Sequence, residues 1–247
     1  MIRQADDTEL SVLPPVTEAA VRIRSLWESY GAGRPFCRFW RWGVNGRISL
    51  MEGTAVLYTG GETGEEELAA FLTMSPDIER VRTDGATARR LAERIGCTAE
   101  TGAVMSPSGP PVEPPVTCVD LPPRDLYPLL VSYFASGIPP FDVWYADVSH
   151  RQRHGLCRIA AVLEDGVPVA GAMTVAECGG GALIGGVATR RESRGRGYAS
   201  ACVSRLTRAL MKEGRQVYLS PKNETARRIY SRLGFIETGE WGAFSLR

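Results

Sequence analysis

Residues Val187–Ala201, which read VATRRESRGRGYASA, decide how this chain of 247 residues is interpreted. A predicted strand runs into a basic, glycine-rich loop, Arg194–Ala199, and the residues from Tyr198 onward have the apolar spacing of a helix. Glycines let a backbone approach a bound group closely, and the first N–H groups of a helix point at an anion that the helix dipole also favours. The segment therefore predicts a strand, an anion-binding loop and a helix, with phosphate as the expected ligand.

The chain around this loop is strongly basic. From Arg190 to Arg232 it has twelve basic and three acidic residues, which suits a phosphate-bearing ligand. Two other phosphate-binding motifs are excluded by their spacing. A dinucleotide fingerprint requires a third glycine where this chain has Ser200, and a P-loop requires Gly-Lys-Ser/Thr, which occurs nowhere in the sequence.

Composition excludes several broad classes of protein. The whole chain has 29 basic and 28 acidic residues, a net charge of +1 and an apolar fraction of 44%. A near-neutral chain is not expected to bind nucleic acid, and the apolar fraction is too high for a disordered protein. No run of about 18 apolar residues occurs, so no membrane-spanning helix is expected. The polar N-terminus lacks the pattern of a secretory signal, so a cytoplasmic location is expected.

The cysteines and histidines do not form a metal-binding pattern. The six cysteines are spread singly, no Cys-x-x-Cys pair occurs, and only two histidines are available. We therefore predict reduced thiols and no metal site.

The near-neutral total hides two unlike halves. Residues 1–115 have 12 basic and 16 acidic side chains, whereas residues 116–247 have 17 and 12. Between them lies Ser106–Val116, SPSGPPVEPPV, whose five prolines in eleven residues predict an extended linker. A proline-rich loop inside one domain would have the same composition. We predict two domains, over residues 1–115 and 116–247.

Helices and strands alternate along the second half. The predicted helices are Arg124–Phe134, Phe141–His154, Tyr198–Met211 and Asn223–Leu233, and the predicted strands are Cys157–Leu163, Val167–Ala176, Ala182–Thr189 and Gln216–Leu219. This order predicts the α/β (α+β) class, with helices flanking a mixed, twisted sheet.

The first half has a similar predicted order and shares a helix motif with the second. Gly85–Gly96 (GATARRLAERIG) and Asn223–Gly234 (NETARRIYSRLG) are identical at six of twelve positions, and Glu-Thr-Gly follows both. Two arginine-rich amphipathic helices could match by chance, but the shared flank favours a duplication.

At these residues the sequence resembles the GCN5-related N-acetyltransferase (GNAT) superfamily. The family's cofactor motif, Arg/Gln-x-x-Gly-x-Gly/Ala, is matched by Arg194, Gly197 and Ala199. A second family signature, Asn-x-x-Ala-x-x-x-Tyr-x-x-x-Gly-Phe, is matched from Asn223 to Phe235. The resemblance covers roughly residues 116–247 and is nearest to the FR47-like branch, which includes glycine N-acyltransferase-like proteins. It implies a GNAT fold in the second half and a degenerate GNAT-like first half.

The resemblance implies acetyl-CoA as cosubstrate and a role for each matching residue. Val187, Ala188 and Thr189 would receive the pantetheine arm along a strand edge, and Asn223 would bond to that arm. The pyrophosphate would lie on Arg194, Gly195, Arg196, Gly197, Tyr198 and Ala199. Tyr230 lies seven residues after Asn223, so both share one helix face. Its hydroxyl, with an ordinary pKa near ~10, suits the general acid that protonates the leaving thiolate; a buried core aromatic is the simpler alternative.

The implied reaction is direct attack of a neutral amine on the thioester within a ternary complex. The sequence departs from part of the family here, because Leu183 stands where histone-modifying members have a strand Glu. We consider four other residues as the base, acting directly or through water: Glu177, Asp147, His150 and His154. For the two histidines, a solvated or capping position at a helix end is the alternative.

The first half lacks the features that would hold a cofactor. Opposite the basic loop it has GGETGEEELAA, with four glutamates that would repel a pyrophosphate. We expect a structural role there, and an acceptor-shaping role for part of Arg38–Trp42. The acceptor is expected to be a small-molecule amine or an amino acid, and the chain a monomer or homodimer. A non-catalytic CoA-binding regulatory module is the alternative function.

Overall fold

The structure, a computed structural model, describes residues 1–112, 114–134 and 137–246. The chain forms two compact units. Unit 1 comprises Met1–Val104 and Glu237–Arg247, and unit 2 comprises Met105–Ile236.

The elements follow one another in the same order in the two parts of the chain. The first ten are β1 (Ile2–Gln4), α1 (Asp7–Ser11), α2 (Glu18–Tyr30), β2 (Cys37–Trp42), β3 (Gly46–Met51), β4 (Thr54–Tyr58), α3 (Glu65–Met74), β5 (Arg80–Asp84), α4 (Gly85–Ile95) and β6 (Glu100–Pro107). The second ten are β7 (Val119–Asp120), α5 (Pro123–Phe134), α6 (Phe141–Arg153), β8 (Ile159–Glu164), β9 (Val167–Cys178), β10 (Gly181–Thr189), α7 (Tyr198–Lys212), β11 (Gln216–Leu219), α8 (Glu224–Arg232) and β12 (Phe235–Ser245), with a 3-10 turn at Arg191–Ser193 before α7.

Strand pairing repeats as well. In unit 1 the strand order is β1-β2-β3-β4-β5, and in unit 2 it is β7-β8-β9-β10-β11. Neighbours are antiparallel except for the last pair of each set, β4 with β5 and β10 with β11, which are parallel. The predicted fold class, a mixed and twisted sheet flanked by helices in both halves, is confirmed.

Each unit has its own apolar core. In unit 2, α7 packs its buried face, which includes Cys202, Leu206 and Leu210, against β8–β11. In unit 1, α3 and α4 contribute Leu68 and Leu91 to a core with β3, β4 and β5. The helices therefore lie against the sheets on apolar stripes, as their sequence periods predict.

The proline-rich segment packs on unit 2. The Ser108 N–H and hydroxyl both bond to the Gly234 carbonyl, at 3.0 and 2.9 Å, and the Arg208 guanidinium donates to the Pro111 carbonyl at 3.1 Å. The compact units therefore divide at residues 104 and 105 rather than at 115 and 116, and the C-terminal strand belongs to unit 1. Glu113, inside the predicted linker, lies outside the described residues.

Tight turns place the strands of each hairpin. Asp165 and Gly166 have φ of 51° and 77° and join β8 to β9, as the Asp-Gly pair predicts. An Asn-Gly pair such as Asn45-Gly46 favours a two-residue hairpin turn, but this pair is not the centre of the turn between β2 and β3. Gly46 pairs with Trp42 inside the ladder, and Gly43, at φ of 61°, begins the turn.

Candidate functional site

Strand β10 separates from its parallel partner at the point where the sequence predicted a ligand. Pairing with β11 ends at Ile184 and Leu219, but β10 continues to Thr189. Its register with β9 shifts beyond Gly185, and Gly186 there has φ of 57°. A side chain at Gly186 would also approach the Met173 side chain to 2.9 Å. A bulge of this kind bends a strand, so the last residues of β10 leave an open backbone edge.

The basic loop that follows leads directly into α7. Gly195 and Gly197 both have φ of 79°, and a Cβ at either glycine would meet nothing within 4 Å. Gly197 is the N-cap of α7, and no side chain within the described residues caps that helix. Since the first N–H groups of a helix have no partners inside the helix, those of α7 are available to a ligand.

Helix α8 supplies the third wall. Asn223 is its N-cap and accepts a hydrogen bond from the Ala226 N–H at 2.9 Å. Tyr230 lies on the same face and is 7% exposed. Burial raises the pKa of Tyr230 to about 12, with a smaller contribution from the nearby Tyr133. The phenol is therefore held in its protonated form well above neutral pH.

These three walls enclose one cleft of about 650 Å³. Residues from β10, the basic loop, α8 and the end of α5 all face it. They are Tyr133, Val187, Thr189, Ser193, Arg194, Gly195, Gly197, Tyr198, Ala199, Ser200, Asn223, Thr225, Ala226, Ile229, Tyr230 and Arg232. No Asp, Glu or His occurs among the described residues of this lining, and two arginines do. The cleft is therefore suited to an anionic ligand.

Two residues of the predicted site do not line the cleft. The Ala188 side chain is 1% exposed and packs in the core with α5 and α6. The Arg196 guanidinium forms an ion pair with Glu164 at 2.7 Å. The structure thus brings together Val187, Thr189 and the rest of the loop with Asn223 and Tyr230, while the Arg196 side chain is directed to a carboxylate of the same unit.

The residues considered as a base lie elsewhere. Glu177 is fully buried and pairs with Arg158 and Arg215, each at 2.9 Å. It lies opposite Ala182 at the start of β10. Thr189, seven residues farther along the strand, is about 23 Å away at ~3.3 Å per residue.

The other three candidates lie on α6 or at its end. Asp147 is bonded to Arg151 on the next turn, at 2.7 Å. The His150 and His154 rings are 4.3 Å apart, and His154 Nδ1 lies 2.8 Å from the His150 carbonyl. None of the three lines the cleft within the described part of the chain. A base supplied by these side chains is therefore not supported.

Sequence reasoning missed the aromatic pair at the end of α5. The Arg194 guanidinium lies over the Tyr133 ring at 5.6 Å, and Lys222 Nζ lies over the Phe134 ring at 5.3 Å. The two rings contact each other edge to face at 4.8 Å. Arg194 precedes α7 and Lys222 precedes α8. The Tyr133–Phe134 pair therefore contacts both sides of the cleft. No local signal identifies Tyr133, because its position depends on how α5 packs on β9 and β10.

The matching loop of unit 1 is filled by its own chain. Glu62 accepts from the Val44 and Asn45 N–H groups at 2.8 and 2.7 Å. Glu65 is paired with Arg90, and Glu67 with the N-terminal ammonium group. The repeat aligns Gly85 with Asn223, the cap of α8, but in the structure α4 is capped by Asp84. Three of the four glutamates of this loop therefore have partners in the described part of the chain. The start of α3, like that of α7, has no side-chain cap among these residues, so the two loops differ in their charge.

Two residues of the predicted acceptor-shaping stretch are core. Phe39 and Trp42 are 1% and 2% exposed and lie in two different apolar clusters, because residues three apart on a strand point to opposite faces. Arg38 pairs with Asp77 at 2.6 Å and Arg41 with Glu9 at 2.8 Å. Trp40 packs edge to face on Phe71. These contacts show a structural role for the stretch, and its contact with an acceptor stays a prediction.

Two features are absent from the described residues. No helix among them is long and apolar enough to cross a membrane. Within the same residues, no group of three or more His, Cys, Asp or Glu side chains could hold a metal ion.

Residues 169–241 match a family model described as "FR47-like protein". This span contains the bulged end of β10, the basic loop and α8. No curated protein matches the chain.

Solved structures match nearly the whole chain at low identity. A GCN5-related N-acetyltransferase from Kribbella flavida is 18% identical with a TM-score of 0.66, and the match covers 92% of this chain and 93% of that one. A tandem GNAT protein from the clavulanic acid biosynthesis pathway is 14% identical with a TM-score of 0.60, over 100% and 98%. A GNAT-family protein from Novosphingobium aromaticivorans is 21% identical with a TM-score of 0.57, over 93% and 98%. At these identities the matches establish the fold.

Proposed function

We propose that this chain, which has an FR47-like segment at residues 169–241 and the fold of GCN5-related N-acetyltransferase (GNAT) structures, is an acetyl-CoA-dependent N-acetyltransferase of that superfamily. The acceptor is the amine of a small molecule or an amino acid. One observation carries the proposal: a single cleft is lined by the open end of β10, the glycine loop before α7, and the face of α8 with Asn223 and Tyr230.

The loop fits a diphosphate. The open space over Gly195 and Gly197 and the uncapped start of α7 offer backbone N–H donors to phosphate oxygens. Arg194 and Arg232 line the same cleft and add positive charge. Backbone donors, rather than the Arg196 side chain, form the centre of this diphosphate site.

The β10 edge fits the amide-bearing pantetheine arm. A strand that has lost its partner can be extended by any group with spaced amide donors and acceptors. Val187 and Thr189 line the cleft along this edge, and Asn223 faces them from α8. These residues would hold the pantetheine arm along the edge of β10, in the cleft that Tyr230 also lines.

When bound, acetyl-CoA supplies an activated acetyl group whose transfer releases a thiolate. Tyr230 is the residue that provides a proton to that sulfur, because its buried hydroxyl stays protonated and faces the cleft. No hydrogen bond to this hydroxyl occurs within the described part of the chain, so its donor is not committed to another group.

The cleft favours acceptors that arrive as a neutral amine and bear little positive charge. Its described lining has no acidic side chain to attract an ammonium group, and it includes two arginines. An amino acid, whose carboxylate would be attracted by those arginines, suits this field better than a polyamine. We propose that water removes the amine proton, since no side chain of the lining is placed to do so.

A non-catalytic CoA-binding regulatory module is the second candidate. Leu183, 2% exposed, stands where histone-modifying members of the superfamily have a strand glutamate, which slightly favours this alternative. Release of free thiol from acetyl-CoA, measured over a panel of amino acids, simple amines and polyamines, separates the two. We expect turnover with an amino acid or simple amine. Tight CoA binding without thiol release from any acceptor would establish the regulatory reading.

Replacing Asn223 by Asp should weaken CoA binding by about tenfold while stability changes little. Asp and Asn cap helices about equally well, so the free energy of unfolding should change by less than about 0.5 kcal/mol. The new carboxylate would lack the amide N–H donor that Asn223 offers to the pantetheine arm and would add negative charge to a cleft for an anionic ligand, and a loss of ~1.4 kcal/mol is tenfold in affinity. Calorimetric titration with CoA, together with urea unfolding, measures both quantities.

The matched control is Asp84→Asn, the same exchange in reverse at the cap of α4. Asp84 accepts from the Thr87 N–H at 2.9 Å, as Asn223 does from Ala226. This variant should leave CoA affinity unchanged. Equal CoA affinity in Asn223→Asp and the wild type would place the cofactor away from α8.

A further inference from the structure

The tip of the β8–β9 hairpin is a rigid element of unit 2. Glu164 is the last residue of β8 and pairs with Val167 across the two-residue turn at Asp165 and Gly166. Both turn residues have positive φ, which suits the tight turn that matches the twist of the strands. The position of the Glu164 side chain is therefore set by the sheet and not by a mobile loop.

This side chain contacts the basic loop at three points. Glu164 accepts from the Ser193 hydroxyl at 3.1 Å, from the Arg196 guanidinium at 2.7 Å and from the Tyr198 hydroxyl at 2.8 Å. Ser193 precedes Gly195, Arg196 lies between the two glycines, and Tyr198 follows Gly197. One carboxylate thus fixes one side of the loop.

The opposite side of the loop is open. Gly195 and Gly197 alternate with the bonded residues, and a Cβ on either would meet no atom within 4 Å. A glycine-rich loop has large conformational freedom, so its shape needs a support outside itself. Glu164 is the group that touches residues on both sides of both glycines.

From this geometry we propose that Glu164 is a positioning residue for cofactor binding. It holds the Ser193–Tyr198 loop in the shape that leaves the amides of Gly195, Gly197 and the start of α7 open to a diphosphate. This inference rests on the proposed function, because it takes the loop as the diphosphate site.

A carboxylate beside a diphosphate site could also act in the opposite way, by repelling the ligand. Two observations favour positioning. The Glu164 charge is matched by Arg196 at 2.7 Å, and the carboxylate is not part of the cleft lining. Hydrogen bonds from Tyr198 and Ser193 and the charge of Arg196 also keep the pKa of Glu164 below its usual range, so these contacts persist at neutral pH.

The test compares Glu164→Gln and Glu164→Ala with Asp165→Asn in the full chain. Glutamine has one acceptor oxygen, so it can keep the bond from Tyr198 or the bond from Ser193 but not both, and it loses the ion pair with Arg196. Alanine loses all three contacts. Asp165→Asn removes a charge from the adjacent residue of the same turn, and asparagine tolerates its positive φ. It therefore controls for the general loss of negative charge.

We expect KM for acetyl-CoA to rise about fivefold in Glu164→Gln and about 30-fold in Glu164→Ala, because each lost charged contact weakens a bound phosphate indirectly. The kcat should stay within about twofold, since Tyr230 is untouched. KM for S-acetyl-pantetheine, which has no diphosphate, should not change. Asp165→Asn should match the wild type with both donors. A lower or unchanged KM for acetyl-CoA in Glu164→Ala would overturn the proposal.

Hydrogen exchange without cofactor distinguishes the failure of this inference from the failure of the proposed function. The loop amides should exchange faster in Glu164→Ala than in Asp165→Asn. Faster exchange with unchanged acetyl-CoA KM would mean that Glu164 holds the loop but the loop does not hold the diphosphate. Unchanged exchange would show that the loop keeps its shape without Glu164, which overturns the positioning role.

Discussion

Replacing Tyr230 by Phe is expected to lower kcat for acetyl transfer by about 10²- to 10⁴-fold, the usual range for loss of a positioned general acid. The ring of Tyr230 is buried and lies 6.2 Å from the Phe235 ring, so phenylalanine fills the same space. Only the proton donor is removed. KM for acetyl-CoA should therefore change by less than about threefold, and the melting temperature should stay close to that of the wild type.

The pH profile provides a second readout of the same residue. Because burial raises the pKa of Tyr230 to about 12, above its ordinary value of 10, the acid keeps its proton through neutral and mildly alkaline pH. We therefore expect that wild-type kcat does not fall between pH 8 and pH 10 through loss of the Tyr230 proton. The matched control is Tyr218→Phe, a buried tyrosine that does not line the cleft. Full activity in Tyr230→Phe would remove this residue from the acid role.

Replacing Gly197 by Ala is expected to weaken CoA binding by about 10- to 100-fold. The backbone there has φ of 79°, and the added methyl group would stand in the open space above the loop. Any shift of the loop misaligns N–H donors to a charged group, each worth about 1.5–3 kcal/mol, or about tenfold to 100-fold in affinity. Calorimetric titration with CoA measures the loss directly.

Backbone strain alone must be separated from this effect. A non-glycine residue in the left-handed region costs roughly 1–2 kcal/mol of stability wherever it occurs. Gly214, at the other end of α7, has φ of 73° and open space around it, as Gly197 does. Gly214→Ala should therefore lose similar stability and keep wild-type CoA affinity. Equal CoA affinity in the two variants would exclude the loop as the phosphate site.

The parts of the candidate site that could be predicted are formed by residues close together in the sequence. The strand, loop and helix around Arg194–Ala199 form a continuous segment, and Asn223 and Tyr230 share one helix face by simple periodicity. Their roles follow from local geometry that spacing alone specifies. The duplicated order of elements was predicted for the same reason, from the repeated helix sequence of α4 and α8.

What could not be predicted depends on partners distant in sequence. Arg196 is one of several arginines near the loop, and only the structure shows that its guanidinium meets Glu164, 32 residues earlier. Tyr133 enters the cleft because α5 packs over β10. The base candidates were chosen by residue type, yet Glu177 lies on β9 opposite the start of β10 and is paired with two arginines.

The N-terminal boundary of unit 2 could not be predicted from composition. Five prolines in Ser106–Val116 indicate an extended backbone, but proline content does not show which body the backbone packs on. The contacts of Ser108 with Gly234 and of Pro111 with Arg208 assign the segment to unit 2. The carbonyls of an extended segment accept hydrogen bonds from the unit on which it packs, and which unit that is depends on tertiary contacts.

The measurement that tests the account most directly is the stoichiometry of CoA binding to the full chain. Unit 2 has a basic glycine loop beside an unpaired strand edge, whereas the matching loop of unit 1 has four glutamates, one of which, Glu62, is bonded to the Val44 and Asn45 amides. Calorimetric titration should therefore give one CoA per chain, with the site lost or strongly weakened in Gly197→Ala. Two sites per chain, or no binding up to a Kd of about 1 mM, would contradict the account.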